Sequence, residues 1–111
     1  MTDLSSRHCT PPQKGGEPLP AGLIAELRKE LHPDWGVEED GKRITRGFEF
    51  KNFYHTMAFV NALAWIANQE DHHPDLEVSY KRCIVHFTTH ALGGLSENDF
   101  ICAAKADALL T

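Results

Sequence analysis

The sequence predicts an α+β fold in which an antiparallel four-stranded sheet carries three helices on one face. Apolar residues recur at helical spacing in three segments of the chain. Between these segments lie two pairs of alternating apolar and polar stretches, and each pair is joined by a short turn. Alternating strands bury one face of a sheet, so helices packed on that face are the natural arrangement. The predicted order of elements is α-ββ-α-ββ-α.

The first helix and the first hairpin occupy the segment from Pro20 to residue 50. Pro20 suits the first turn of a helix that must end before Pro33. The apolar stripe of this helix comprises Leu23, Ile24, Leu27 and Leu31. Two strands flank Asp40-Gly41, a pair that tolerates positive φ in a hairpin turn. Arg46 interrupts the apolar face of the second strand, so this strand either lies at an edge or lets Arg46 reach solvent.

A long second helix begins after Asn52, a typical N-cap residue, and must end by His73 because Pro74 follows. The residues at core spacing in this helix are Phe53, Met57, Val60, Leu63 or Ala64, and Ala67, and Trp65 and Ile66 widen the stripe. We also expect Phe59 to pack in the core. This reading places His72 and His73 at the helix C-terminus.

The second hairpin and the third helix complete the domain. The hairpin is expected to turn near Lys81-Arg82, and alternation extends its last strand to His90. On that reading His86 and His90 point to the same face of the sheet. Ser96 is the predicted N-cap of the last helix, and Asp99 at the third helical position completes a capping box.

Composition limits the class of protein. A chain of 111 residues forms one domain, and its net charge of −5 disfavours nucleic acid as a partner. There is no apolar run long enough to span a membrane, nor an N-terminal apolar segment of signal-peptide length. The three cysteines lack the paired spacing of a disulfide framework, which indicates a reducing compartment. We therefore expect a cytoplasmic protein that contacts neither nucleic acid nor a membrane.

The first 18 residues differ in composition from the rest of the chain. They are polar and rich in serine, proline and glycine, so they contain little apolar surface to bury. The sequence predicts a flexible N-terminal arm over residues 1–18, followed by a single domain over residues 19–111.

Four residues form the candidate catalytic group: His72, His73, His90 and Asp99. Imidazole exchanges protons near neutral pH, so this group suits general acid–base catalysis. Asp99 also has a structural role available to it as a helix-capping carboxylate. A zinc or iron centre is the chemical alternative, because three histidines and a carboxylate are suitable ligands. Adjacent residues at a helix end point about 100° apart, however, which does not converge on one metal ion.

Three motifs carry a resemblance to a known family. His72-His73-Pro74-Asp75, Thr88-Thr89-His90 and Gly94-Leu95-Ser96-Glu97-Asn98-Asp99 resemble the corresponding segments of the pterin-4a-carbinolamine dehydratases. The resemblance covers roughly residues 19–110 and implies the same α+β fold. It implies a hydro-lyase that dehydrates 4a-hydroxytetrahydrobiopterin to quinonoid dihydropterin without a cofactor or a metal. Asn68 stands where family members often have a glutamate, and Glu70 is out of register with that position.

The resemblance also implies roles for individual residues. His72 and His90 would act as acid or base, His73 would mainly hold the pterin, and Asp99 would orient or polarise His90. Thr89 would offer backbone groups to the amide edge of the pterin. The remaining residues assigned to substrate binding are Asp71, Pro74 and Trp35, and for Trp35 the alternative is a place in the hydrophobic core.

The implied partners follow from the same resemblance. The substrate is a small pterin, the protein is a homodimer or homotetramer, and the product serves the recycling of tetrahydropterin for an aromatic amino-acid hydroxylase. The alternative function is a non-enzymatic dimerisation cofactor or regulatory binding module, because a fold does not determine its function.

Overall fold

The computed structural model describes residues 3–13 and 15–110. Its helices are α1 (Ala21–Arg28), α2 (Phe53–Glu70) and α3 (Glu97–Ala108), and its strands are β1 (Gly36–Glu38), β2 (Arg43–Glu49), β3 (Asp75–Val78) and β4 (Arg82–Phe87). Short 3₁₀ turns occur at Leu4–Ser6 and His90–Leu92. All strand pairs are antiparallel, in the order β1-β2-β4-β3. The predicted α+β class is confirmed. None of the helices described here is long and apolar enough to cross a bilayer.

The two hairpin turns follow the sequence signals with small shifts. Between β1 and β2, Glu39, Asp40 and Gly41 all adopt positive φ, so the turn is wider than the Asp40-Gly41 pair. Between β3 and β4, the Ser79 amide donates to the Arg82 carbonyl at 2.8 Å, which leaves a two-residue turn one position before the predicted one. The two turns therefore fix the pairing register of β1 with β2 and of β3 with β4.

The hydrophobic core lies between the sheet and the helices. Trp35 is 1% exposed and its ring lies 6.1 Å from Phe48 and 6.2 Å from Phe87. The inward residues of β4 are Cys83, Val85 and Phe87, as the alternation predicts. Burial raises the pKa of the Cys83 thiol to about 11, so this thiol stays protonated at neutral pH.

Arg46 is neither at a sheet edge nor exposed to solvent, so both sequence-based alternatives are wrong. Strand β2 is interior, and its Arg46 side chain points to the helix side, where it pairs with Asp107 of α3. The guanidinium also lies 4.2 Å from the centre of the Phe48 ring. Asp107 accepts a second hydrogen bond from the Trp35 indole at 2.9 Å. The partly buried Asp107 carboxylate therefore provides a partner for a cation on the helix side of the sheet.

Helix α2 begins as predicted but buries a different face. The Asn52 side chain caps the helix by accepting from the His55 amide. The buried residues are Thr56, Phe59, Leu63 and Ala67. Phe53 and Trp65 are 49% and 64% exposed, so their placement in the core was wrong. Thr56 can occupy the buried stripe because its hydroxyl group bonds to the carbonyls of Asn52 and Tyr80.

The N-terminal segment packs on α2 and α3. Leu4 is 1% exposed and belongs to the core cluster. The Cys9 amide donates to Glu70 at 2.7 Å, and Thr10 and Asn98 exchange two hydrogen bonds. The expectation that residues 1–18 contribute nothing to the core is therefore wrong for Leu4. Their flexibility in solution stays a prediction.

Two of the three cysteines are neighbours in space although they are far apart in sequence. The sulfur atoms of Cys9 and Cys102 lie 3.5 Å apart, and both thiols are free. The hydrogen bond with Cys9, together with burial, raises the pKa of the Cys102 thiol far above its ordinary value.

The burial of Leu4 can be tested by unfolding. Leu4→Ala should lower the free energy of unfolding by about 2–4 kcal/mol, because it opens a cavity in the core. The control is Leu23→Ala on the outer side of α1, where the side chain is 39% exposed and the loss should be within about 1 kcal/mol. Urea denaturation measures both. Equal losses would mean that the N-terminal segment is not docked.

Candidate active site

His72 is directed inward by the way in which α2 ends. Asp71 closes the helix in a left-handed conformation with φ of 52°, and the His72 amide returns to the Ala67 carbonyl. The chain then leaves through Pro74. As a result His72 is buried, at 8% exposure, while its neighbour His73 is exposed.

Asp99 lies directly beneath His72. It is fully buried at the N-terminus of α3, and one carboxylate oxygen lies 2.6 Å from Nε2 of His72. The other oxygen accepts from the Thr89 hydroxyl at 2.8 Å and from the Ser96 amide at 2.9 Å. Since a carboxylate only accepts, Nε2 of His72 is the donor in this contact, and in a neutral ring Nδ1 is then the acceptor. The predicted capping box is present, and the same carboxylate holds a histidine.

The assignment of Asp99 to His90 is therefore corrected. Strand β4 ends at Phe87, and His90 begins a 3₁₀ turn that carries its side chain to the surface. The end of α2 instead brings His72 to the start of α3. The alternation of side chains could not show that His90 leaves the sheet face, because alternation holds only within a strand and β4 ends at Phe87.

The ring of His72 also has a packed support. It stacks on Phe87 at 5.9 Å between ring centres with an interplanar angle of 8°. Trp35 lies on Phe87 in turn, within the core, and its indole is engaged by Asp107. Trp35 does not line the candidate cleft, contrary to its assignment to substrate binding. It supports the ring that supports His72.

An open cleft of about 210 Å³ lies above the His72–Asp99 pair. Its lining residues are Pro12, Asp71, His72, His73, Thr88, Thr89, His90 and Ala91. Five residues singled out from the sequence thus meet here: Asp71, His72, His73, Thr89 and His90. Asp99 does not line the cleft, but it holds His72 from the interior side through their 2.6 Å contact. Pro74 is not among the lining residues.

The backbone groups of Thr89 are already used within the loop. Its amide donates to the Gly94 carbonyl at 2.8 Å, and its carbonyl accepts from the Leu92 amide at 3.0 Å. Its hydroxyl group contacts Ser96 and Asp99. Thr89 therefore shapes the loop that presents His90, and its expected backbone contacts to a pterin would need this loop to rearrange.

His86 lies on the opposite side of the sheet from the core. It is 8% exposed, and its two ring nitrogens contact Thr45 at 2.8 Å and Glu77 at 2.5 Å. Because His90 is not in the strand, these two histidines do not share a sheet face as the alternation predicted. His86 is held by its own polar neighbours and does not reach the cleft.

The sequence did not single out Pro12 or Ala91 as cleft residues. Ala91 follows the Thr-Thr-His motif and is reached through the 3₁₀ turn. Pro12 carries no sequence signal for this position, because only the docking of the N-terminal segment brings it there. Its contribution depends on contacts between residues almost a whole chain length apart.

Glu70 faces the N-terminal segment. It accepts from the Cys9 amide and contacts His8 at 2.9 Å, and Lys105 lies 3.9 Å away. Burial alone would raise the pKa of this carboxyl, but the hydrogen bonds and the Lys105 charge outweigh it and lower the pKa overall. Asn68, at the position of the expected glutamate, is exposed.

A zinc or iron centre among residues 3–13 and 15–110 would require several ligating side chains to converge on one point. Within these ranges no three histidine, cysteine, aspartate or glutamate side chains converge as metal ligands. In the cleft itself, Nε2 of His72 is engaged by Asp99. The cleft is instead lined by three histidine side chains, His72, His73 and His90.

The buried carboxylate can be tested by an isosteric change. Asp99→Asn should lower the free energy of unfolding by about 2 kcal/mol or more. An amide group has one accepting oxygen, whereas the carboxylate accepts at both oxygens, from His72 on one and from Thr89 and Ser96 on the other. Glu97→Gln, an exposed change in the same helical turn, should alter stability by less than about 0.5 kcal/mol. Chemical denaturation compares them, and an unchanged Asp99→Asn would contradict the bonding described here.

Solved structures show the same fold. A transcriptional coactivator/pterin dehydratase from Brucella melitensis aligns with a TM-score of 0.81 and 30% identity, covering 86% of this chain and 100% of that one. A pterin dehydratase-like RuBisCO assembly factor of the α-carboxysome aligns with a TM-score of 0.62 at 24% identity, over 70% of this chain and 90% of that one. The second likeness shows a shared fold alone.

Sequence comparison identifies closer relatives. A protein of Legionella pneumophila is 60% identical over 109 residues, which cover 98% of this chain and 96% of the relative. A protein of Nitrosomonas eutropha is 56% identical over 110 residues, covering 99% of this chain and 96% of the relative. Both are provisionally named pterin-4-alpha-carbinolamine dehydratase. The family model described as pterin 4 alpha carbinolamine dehydratase matches residues 17–109. The chain therefore belongs to the pterin-4-alpha-carbinolamine dehydratase family.

Proposed function

We propose that this protein is a hydro-lyase that converts 4a-hydroxytetrahydropterin to quinonoid dihydropterin and water. The observation that carries the proposal is the buried His72–Asp99 pair beneath a cleft that also presents His73 and His90. The family relationship supports the substrate class.

The reaction requires two proton transfers. The bond between C4a and its hydroxyl oxygen breaks, the oxygen takes up a proton and leaves as water, and N5 loses its proton as the C4a–N5 double bond forms. One group must act as the acid and one as the base, and imidazole serves both near neutral pH.

The geometry supports a division of these roles. Asp99 fixes the proton of His72 on Nε2, so the unprotonated Nδ1 is the base that accepts the N5 proton. His90, exposed on the 3₁₀ turn, is the acid that protonates the departing hydroxyl group. His73 holds the ring at the open side of the cleft. These steps require no cofactor.

The proposal extends to the biological setting. Quinonoid dihydropterin is the form that a reductase returns to tetrahydropterin, so the activity suits the recycling of this cofactor for an aromatic amino-acid hydroxylase. Three unpaired thiols suit the reducing cytoplasm.

The assignment of His90 can be tested against His86. His90→Ala should lower kcat for a 4a-carbinolamine by about 10²-fold or more, because it removes the proposed acid. His86→Ala should change kcat less than about threefold, since His86 contacts Thr45 and Glu77 away from the cleft. Both rates are measured from the loss of carbinolamine absorbance, in the presence of a chelator.

Three results of these assays would each contradict a different part of the proposal. Equal losses in the two variants would contradict the position given to His90. Loss of wild-type activity on chelation, restored by one metal, would contradict acid–base catalysis by histidines. A wild-type protein without any acceleration would remove the proposed function altogether.

An exposed aromatic surface supports a further part of the proposal, self-association into a homodimer or homotetramer. Tyr54 and Trp65 are 77% and 64% exposed. They are eleven residues apart on α2, about three turns, and so lie on one face of the helix. Phe53, the residue before Tyr54, is also exposed and stacks on Tyr80 at 6.0 Å. Exposed aromatic clusters of this kind typically mark interaction surfaces.

Self-association through this surface can be measured by light scattering after gel filtration. The wild-type protein should be a dimer or tetramer, and the double variant Tyr54→Lys/Trp65→Lys should shift toward the monomer because lysine is disfavoured in interface cores. Leu23→Lys on α1 is the matched control and should keep the wild-type mass. A monomeric wild-type protein would contradict self-association.

The same surface supports a second candidate function, a binding module that regulates another protein. The Brucella melitensis relative is described as a transcriptional coactivator as well as a dehydratase. Full biological complementation by a variant lacking both His72 and His90 would favour this function over catalysis.

A further inference from the structure

A second cavity adjoins the catalytic cleft. It has a volume of about 230 Å³ and lies between the N-terminal segment and the end of α2. Its lining residues are Cys9, Thr10, Pro11, Pro12, Glu70 and Asp71. Pro12 and Asp71 also line the catalytic cleft, so the two spaces share a wall. We refer to this second space as the arm cavity.

We propose that the arm cavity receives the side chain carried by the pterin ring, so that residues 9–12 determine which pterins are accepted. This inference rests on the proposed dehydratase function. The substituent expected here is a short aliphatic chain bearing hydroxyl groups. Cys9, Pro11 and Pro12 supply apolar surface to the wall, and Thr10, Glu70 and Asp71 supply polar groups.

Size supports the inference. The catalytic cleft, at about 210 Å³, is smaller than the roughly 300 Å³ at which ordinary small-molecule pockets begin. With the pterin ring in the catalytic cleft, a substituent too large for the cleft can extend past Pro12 and Asp71, which line both spaces. With the arm cavity included, the combined space falls within the usual range for a ligand site.

The wall of the arm cavity is hydrogen-bonded to residues that lie close to His72 and Asp99 in the sequence. On one side the Cys9 amide donates to Glu70, which is followed by Asp71 and His72. On the other side Thr10 and Asn98 exchange hydrogen bonds of 3.1 and 2.7 Å, and Asn98 directly precedes Asp99. The arm is thus held to the sequence neighbours of both members of the His72–Asp99 pair.

The wall is also stiff. Pro11 and Pro12 have restricted φ, which reduces the number of conformations open to this part of the arm. The Glu70 carboxyl that holds the Cys9 amide has a lowered pKa despite its burial, so it remains an acceptor at neutral pH. A stiff wall can discriminate between substituents by shape.

The test compares two substrates that differ only in the side chain. One is the 4a-carbinolamine of tetrahydrobiopterin, which carries a dihydroxypropyl group, and the other is the 4a-carbinolamine of 6-methyltetrahydropterin. The wild-type protein should have a kcat/KM for the first that is about tenfold higher or more, as expected for added contacts in a fitted pocket.

Two variants alter the wall without touching Leu4 in the core. Glu70→Ala releases the Cys9 amide, and the double change Pro11→Gly/Pro12→Gly loosens two exposed residues that should not be needed for folding. Each should reduce the ratio of the two kcat/KM values about fivefold. The control is Glu97→Ala, which removes the exposed ion pair with Arg7 outside the arm cavity and should keep the wild-type ratio.

A binding measurement adds a readout that needs no turnover. By calorimetry, 7,8-dihydrobiopterin should bind the wild-type protein more tightly than 6-methyl-7,8-dihydropterin, and both wall variants should reduce this difference. Equal kcat/KM values and equal affinities in wild type and variants would overturn the arm cavity as a subsite while leaving the dehydratase function in place. Failure of the wild-type protein to dehydrate either carbinolamine would overturn the function itself.

Discussion

The carboxylate of Asp99 is the group on which the arrangement of the domain depends. It is fully buried, and a buried carboxylate is costly unless donors surround it. The donors come from three places: the turn after α2 provides His72, the segment after β4 provides Thr89, and the start of α3 provides Ser96. Meeting this requirement brings the ends of three elements to one point. The geometry of the candidate site therefore follows from the stability of the fold.

Short sequence motifs were sufficient to predict the start of α3 and the end of α2. Ser96 and Asp99 could be identified as a capping box because the motif is contiguous. The end of α2 could be placed because Pro74 excludes the α conformation just before it. Neither signal could show that Asp99 faces His72, because that contact spans 27 residues and depends on how α2 and α3 pack.

Two errors show where periodicity fails. Phe53 and Trp65 were assigned to the core because they are apolar and suitably spaced, yet α2 turns Thr56 inward, where its hydroxyl group bonds to the Tyr80 carbonyl. Arg46 was expected at an edge or in solvent, yet Asp107, 61 residues later, provides a partly buried partner. In both cases a polar side chain bonds to a group that no local pattern reveals.

The contacts between the N-terminal segment and α3 have a consequence for the order in which the protein assembles. Lys105 donates to the Ser5 carbonyl, and Cys9 lies against Cys102, so an early segment of this sequence packs against a helix that is synthesised later. On the ribosome the segment around Leu4 has no binding surface until α3 has emerged and folded. Contacts of such long sequence separation form late because loop closure is costly. We expect the histidines of the candidate site to be in place before Pro12 closes the side of the cleft, so that a newly made chain passes through a state with an open cleft.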